Sequence, residues 1–110
     1  MKNIALFSAS LLLVSVAAFA DPHLDEAIKH ADAAVKSGKT GHSHDLVEHA
    51  KSAMEHAMAA ELTEKGTAKT RTDNAIIDLD EAIKHGKMMH AEIATTYSEA
   101  ALDDLKKANQ

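Results

Sequence analysis

The chain has no cysteine and no tryptophan, and only one proline, one tyrosine and two phenylalanines in 110 residues. Without cysteine there is no disulfide and no thiolate to hold a metal. Phe7 and Phe19 both lie in the first twenty residues, so Tyr97 is the single aromatic side chain of the remainder. A core must therefore be alanine with some leucine, isoleucine, valine and methionine, and in a chain this short it is thin. Positive charge is scarce too. The formal net charge is −5, or −6 without Lys2, with histidines counted neutral. That balance argues against nucleic acid and anionic membrane surfaces as partners.

A long apolar run is also missing. The stretch from Ile4 to Ala18 is about 15 residues, short of the roughly 20 that a spanning helix needs. It follows the basic Lys2 and ends in Ala18-Phe19-Ala20. A basic start, a short apolar core and an A-x-A ending predict a cleavable secretory signal over residues 1–20, with an uncleaved anchor as the alternative. The mature chain, residues 21–110, is then one domain with no membrane segment of its own.

Within it, Leu24, Ala27, Ile28, Ala31, Ala34 and Val35 recur at helical spacing, the mark of an amphipathic helix. Asp21 and Pro22 suit its cap and first turn, and Ser37-Gly38-Lys39-Thr40-Gly41 breaks it. A second helix runs through Leu46, Val47, Ala50, Ala53, Met54 and Ala57 to near Leu62. The polar stretch TEKGTAKTRT, residues 63–72, reads as a connection. A third helix through Ala75, Ile76, Leu79, Ala82 and Ile83 breaks near Gly86, and a fourth carries Ile93, Ala94, Tyr97, Ala101, Leu102, Leu105 and Ala108.

The chain repeats itself. LDEAIKH stands at 24–30 and again at 79–85, but an offset of 48 aligns more, setting Gly38-Lys39 on Gly86-Lys87 and His42 on His90. The two offsets differ by seven because each helix is built from heptads. The expected fold is all-α, an up-down four-helix bundle made of two duplicated antiparallel helical hairpins.

Eight histidines remain: His23, His30, His42, His44, His49, His56, His85 and His90. On their helices they flank the apolar stripe. Neighbours seven apart are separated by about 10.5 Å of rise, too far to share an ion whose nitrogen ligands sit about 2 Å away. Partners must come from the same turn or another helix. Glu26–His30, Asp45–His49, Glu81–His85 and His44–Glu48 share a face at i, i+4, although charged pairs at that spacing also decorate any solvated helix. If the first turn is centred between Lys39 and Thr40, residues whose numbers sum to 79 lie level, so His30 faces His49 and His23 faces His56. In the second hairpin the sum is 175. His85 then faces His90, Asp78 faces Tyr97, and Arg71 faces Asp104, an ion pair where the first half has two histidines. These rungs form only if the histidine flanks face one another.

The turns carry smaller signals. His42-Ser43-His44 is a short chelating segment. His85-Gly86-Lys87-Met88-Met89-His90 brackets two thioethers with two imidazoles, a set suited to copper in either oxidation state, but Met88 and Met89 read first as a hydrophobic cap on the bundle end. An amino-terminal copper chelate at Asp21-Pro22-His23 is excluded, because Pro22 has no N–H to deprotonate. No nucleophile stands beside a base, no glycine loop cradles phosphate and no di-iron E-x-x-H pair occurs, so an enzyme is not expected.

HLDEAIKHA, the SGKTGH turn, DLVEHAKSAMEHA and DEAIKHGKMMH resemble the small metal-binding protein family over roughly residues 22–107. The resemblance implies a periplasmic helical bundle that binds several divalent ions, copper especially, for sequestration. It places His30, His49, His56 and His85 at the recurring heptad position and His42 and His90 at the turns. The chain departs from the histidine-richest pattern at Ser37, Asp78, Tyr97 and Asp104. Imidazole and carboxylate ligands suit Cu(II), Ni(II) and Zn(II), with Cu(II) tightest at equal availability. The competing expectation is an alanine-rich interaction module that clasps a partner protein and senses acidity through its histidines.

Overall fold

A computed structural model describes residues 21–110, and the expected signal segment lies outside them. Four helices follow one another: α1 (Pro22–Lys39), α2 (Ser43–Glu61), α3 (Gly66–Lys87) and α4 (Ala91–Ala108). Each packs on its sequence neighbour, α4 closes back onto α1, and α2 approaches α4 across the diagonal. This is the up-down four-helix bundle expected from the duplicated hairpins. No described helix is long and apolar enough to cross a membrane.

Asp21 starts α1 as its cap, its carboxylate accepting from the His23 N–H at 2.8 Å, with Pro22 in the first turn where its missing N–H costs nothing. The core is an alanine seam: Ala27, Ala31 and Ala34 of α1 meet Ala50, Ala53 and Ala57 of α2, with Ala75 and Ala82 of α3 and Ala94 and Ala101 of α4. Leu46, Leu79 and Leu105 are the largest apolar side chains fully enclosed, each stabilising the fold by about 1.5–3 kcal/mol through burial. Small side chains let helix axes approach closely. The approach is close at the turn end, where Gly38 lies against Thr95 and Leu46, and Gly86 against Val47 and Leu46. These two glycines are inside α1 and α3 and buried, not in the breaks. The breaks come at Gly41 (φ 77°) and Met89 (φ 62°).

The connection expected over residues 63–72 is mostly helix, since α3 begins at Gly66. Several of its polar residues find partners once the segment is helical, although the buried Glu64 carboxylate and Thr72 hydroxyl have none. Lys69 donates to Asp73 one turn on at 2.9 Å and to Glu61 at the end of α2 at 3.0 Å. Thr72 turns inward and is fully buried.

The two hairpin turns have one backbone design. His42 N–H donates to Ser37 C=O and His90 N–H to His85 C=O, both at 2.9 Å. Gly41 N–H donates to Gly38 C=O and Met89 N–H to Gly86 C=O, both at 3.0 Å. A left-handed residue with these paired bonds is the Schellman ending of a helix. It sets the level of everything along each hairpin.

Candidate metal centre

The histidine flanks of α1 and α2 face each other along their shared groove. His30 Nδ1 lies 3.3 Å from His49 Nδ1, and His23 Nδ1 lies 3.3 Å from His56 Nδ1. Both level pairs expected from the turn centre therefore meet. The rungs are also joined diagonally, the rings of His30 and His56 stacking at 5.9 Å and 7°. The groove thus holds a run of four imidazoles in the order His23, His56, His30, His49. Glu26, one turn before His30, approaches the same place, and Glu26, His30 and His56 each offer a ligand atom within 4.8 Å of the others.

The second hairpin repeats the layout with different side chains. His85 Nδ1 lies 3.4 Å from His90 Nδ1. The His85 ring stacks on Tyr97 at 5.7 Å, the same diagonal relation as His30 to His56. Glu81 Oε2 stands 4.0 Å from His85 Nε2. Arg71 Nη1 donates to Asp104 Oδ1 at 2.9 Å, so the rung equivalent to His23–His56 is an ion pair. Asp78 holds the position equivalent to His30. Burial, and then the neighbouring Asp104 and Glu81, keep its carboxyl above the ordinary carboxylate range.

The separations have chemical meaning. Two nitrogens held tetrahedrally at 2.0–2.1 Å from one ion stand about 3.3–3.4 Å apart. The three Nδ1 pairs match that bite. They are longer than the about 2.9–3.0 Å of an ordinary N–H hydrogen bond. Adjacent ligands of a square Cu(II) site would stand closer, at about 2.8 Å. Each pair is thus close to a two-imidazole clamp for a tetrahedral ion, with the remaining positions left to carboxylate or water.

Electrostatics support the same use. His30 is held below the ordinary histidine value by burial first, then by His49 and His56, while Glu26 pulls the other way. A neutral imidazole has one free lone pair, the state a metal requires. That single lone pair also limits how the groove fills. His30 serves either the His30–His49 clamp or the Glu26–His30–His56 cluster, and His56 is shared in the same way with His23. The groove accommodates two ions on level pairs or one ion on the three-residue cluster.

The other sequence candidates lie apart. His42 caps the first turn, where Thr40 Oγ1 lies 2.8 Å from its Nδ1. Its level partner is Ser37, which has no imidazole to form a third rung in the first hairpin. His44, Asp45 and Glu48 are exposed, with Glu48 engaged by Lys51 at 3.5 Å, and no ion pair joins Asp45 to His49 among the described residues. Met88 and Met89 do not cap the bundle: they are 53% and 74% exposed. The diagonal contacts of His30 with His56 and His85 with Tyr97 escaped the level-pair rule, yet their numbers sum to 86 and 182, one heptad beyond 79 and 175.

A family model described as "Small metal-binding protein" matches residues 1–108. A search of curated proteins gives no match.

Proposed function

The chain belongs to the small metal-binding protein family, and on that premise we propose that it is a periplasmic, non-enzymatic binder of several divalent transition-metal ions. Its cargo is Cu(II), Ni(II) or Zn(II), held for sequestration, buffering or transport. The observation that carries this reading is the recurrence of one geometry, a 3.3–3.4 Å Nδ1–Nδ1 pair, at three places in the bundle. Solubility alone gives no reason for imidazoles to pair across a groove at a ligand bite.

The clamps contribute His23–His56, His30–His49 and His85–His90, with Glu26 and Glu81 as carboxylate support. Two protein ligands per ion leave coordination to be completed by water, which suits exchange better than permanent retention. Zn(II) fits the resting bite with little movement. Cu(II) gains more per bond in the Irving–Williams order but requires the rings to close by about half an ångström. His42 and His44 remain candidate turn ligands, joined by Asp45, Glu48 and Asp78 where the side chains can swing to an ion.

A groove of about 450 Å³ between the first turn and α4, lined by Gly38, Lys39, Gly41, Ala91, Glu92, Thr95, Thr96 and Glu99, stands apart from the histidine clamps. Calorimetric titration with Cu(II) and Zn(II) at pH 7.5 and pH 5 tests the proposal. The expected result is two to three ions at the higher pH and a steep loss at the lower, as imidazoles protonate below about 6.5. Fewer than two ions at pH 7.5 overturns it.

A further inference from the structure

The two hairpin turns share a backbone but differ in side chains, and the difference is confined to a few positions. Where the first turn has Ser37, Thr40 and Gly41, the second has His85, Met88 and Met89, while His42 and His90 correspond. Thr40 and Met88 adopt nearly the same angles, φ −98° and ψ 7° against φ −86° and ψ 6°. The next residue is left-handed in both, at φ 77° for Gly41 and φ 62° for Met89. Glycine takes that conformation freely, whereas a side chain there is strained. The second turn therefore keeps a methionine where the duplicate shows that glycine serves. Folding gives no account of the choice, because Met88 and Met89 are 53% and 74% exposed. Strain and exposure held together at one place point to a ligand.

The surroundings say which ligand. Met88 and Met89 lie between two histidines whose Nδ1 atoms are 3.4 Å apart. The turn is closed by bonds from Met88 N–H and His90 N–H to His85 C=O at 3.1 and 2.9 Å, so all four side chains spring from one tight loop. Thioethers are soft ligands that discriminate against hard divalent ions and favour Cu(I), and imidazole binds copper in both states. Three rotatable bonds let each methionine swing onto an ion held by the two rings. Glu81, 4.0 Å from His85 Nε2, is a hard ligand on the far side of the ring.

We propose that the second turn is a Cu(I) site, with His85 and His90 as nitrogen ligands and Met88 and Met89 as sulfur ligands, separate from the divalent clamps of the α1–α2 groove. The inference rests on the metal-handling reading above and adds an oxidation state to it. One bundle then holds copper in two forms: Cu(II) between imidazoles and Cu(I) at the turn.

The test is anaerobic competition of the full chain for Cu(I), kept reduced by ascorbate, against a chromophoric Cu(I) chelator. Two variants are compared with the wild type. Met88→Leu/Met89→Leu preserves bulk, and Met88→Thr/Met89→Gly copies the first turn and so folds as that turn does. Both are expected to weaken Cu(I) binding by about tenfold to a hundredfold, comparable to losses seen when a metal site's support is removed, while Zn(II) stoichiometry is unchanged. X-ray absorption of the Cu(I)-loaded wild type is expected to show sulfur neighbours that both variants lack. Unchanged Cu(I) affinity in the leucine pair, or a copper shell without sulfur, overturns the proposal. Failure of the full chain to take up Zn(II) or Cu(II) sinks the divalent reading instead, and leaves the Cu(I)–sulfur signature to be judged separately.

Discussion

His30 is the residue on which the α1–α2 groove depends, because it belongs to both of the groove's ligand groups. It sits 3.3 Å from His49 and shares the three-residue cluster with Glu26 and His56. His23 belongs only to the outer pair. Substituting each with alanine therefore has unequal consequences. His23→Ala leaves the His30–His49 clamp and the Glu26–His30–His56 cluster intact. His30→Ala leaves only His23–His56 in the groove, so one ion and the one three-ligand alternative are both lost. The magnitude follows from linkage: an ion present at a hundredfold excess over its dissociation constant stabilises the fold by about 2.7 kcal/mol per site. For a domain of this length, at about 4–8 °C per kcal/mol, that is roughly 11–22 °C in thermal midpoint. Differential scanning fluorimetry with and without Zn(II) at pH 7.5 reads the difference directly. Each variant leaves room for one ion in the groove: the zinc-induced shift is expected to fall by about one site's worth in His30→Ala, where only the His23–His56 clamp remains, and by less in His23→Ala, where the remaining ion can take the three-ligand Glu26–His30–His56 cluster. Equal losses in the two variants would refute the shared-ligand reasoning, and no loss in either would refute the groove as a metal site.

Three further outcomes follow from the same geometry. The metal-free bundle is expected to lose stability on acidification: the His30 pKa is lowered in the fold by burial, His49 and His56 against the pull of Glu26, so its contribution is complete above the unfolded value of about 6.5 and vanishes as pH falls through the lowered folded value. Urea titrations from pH 7.5 to 5 check this, and His30→Ala should flatten the slope. Arg71→His/Asp104→His rebuilds in the second hairpin the rung that an ion pair now occupies at 2.9 Å, and mass spectrometry under native conditions should count one more Zn(II) ion. Gly38→Ala sets a methyl group into the Thr95 side chain and 2.7 Å from Leu46 Cδ1, so chemical denaturation should show a loss of about 1–3 kcal/mol from overpacking.

Much of the arrangement was legible before any fold was known. Helical spacing, heptads and the position of the turn place His30 level with His49 and His85 level with His90, because an antiparallel hairpin with a fixed turn centre permits one register. The trade of a histidine rung for Arg71–Asp104 followed from the same arithmetic. Other features were closed to it. Periodicity gives the angle of a residue around its own helix but not which neighbour that angle faces, so only packing decided that the histidine flanks meet in the α1–α2 groove.

Packing likewise decided the diagonal stack of His30 on His56, which brings Glu26 to both and makes one imidazole serve two sites. Gly38 and Gly86 read as breaks because glycine weakens isolated helices. Tertiary approach reverses that meaning, since only a residue without a side chain lets α1 pass Thr95 and Leu46, and α3 pass Val47. The polar start of α3 reads as a connection until Glu61, on another helix, supplies Lys69 with a partner. The sequence by itself determined four amphipathic helices, their pairing and the imidazole supply, all of which are properties of order along a chain. The tertiary structure decided which rings stand close enough to share an ion and which methionines stay exposed, because those depend on distances between segments that local periodicity does not encode.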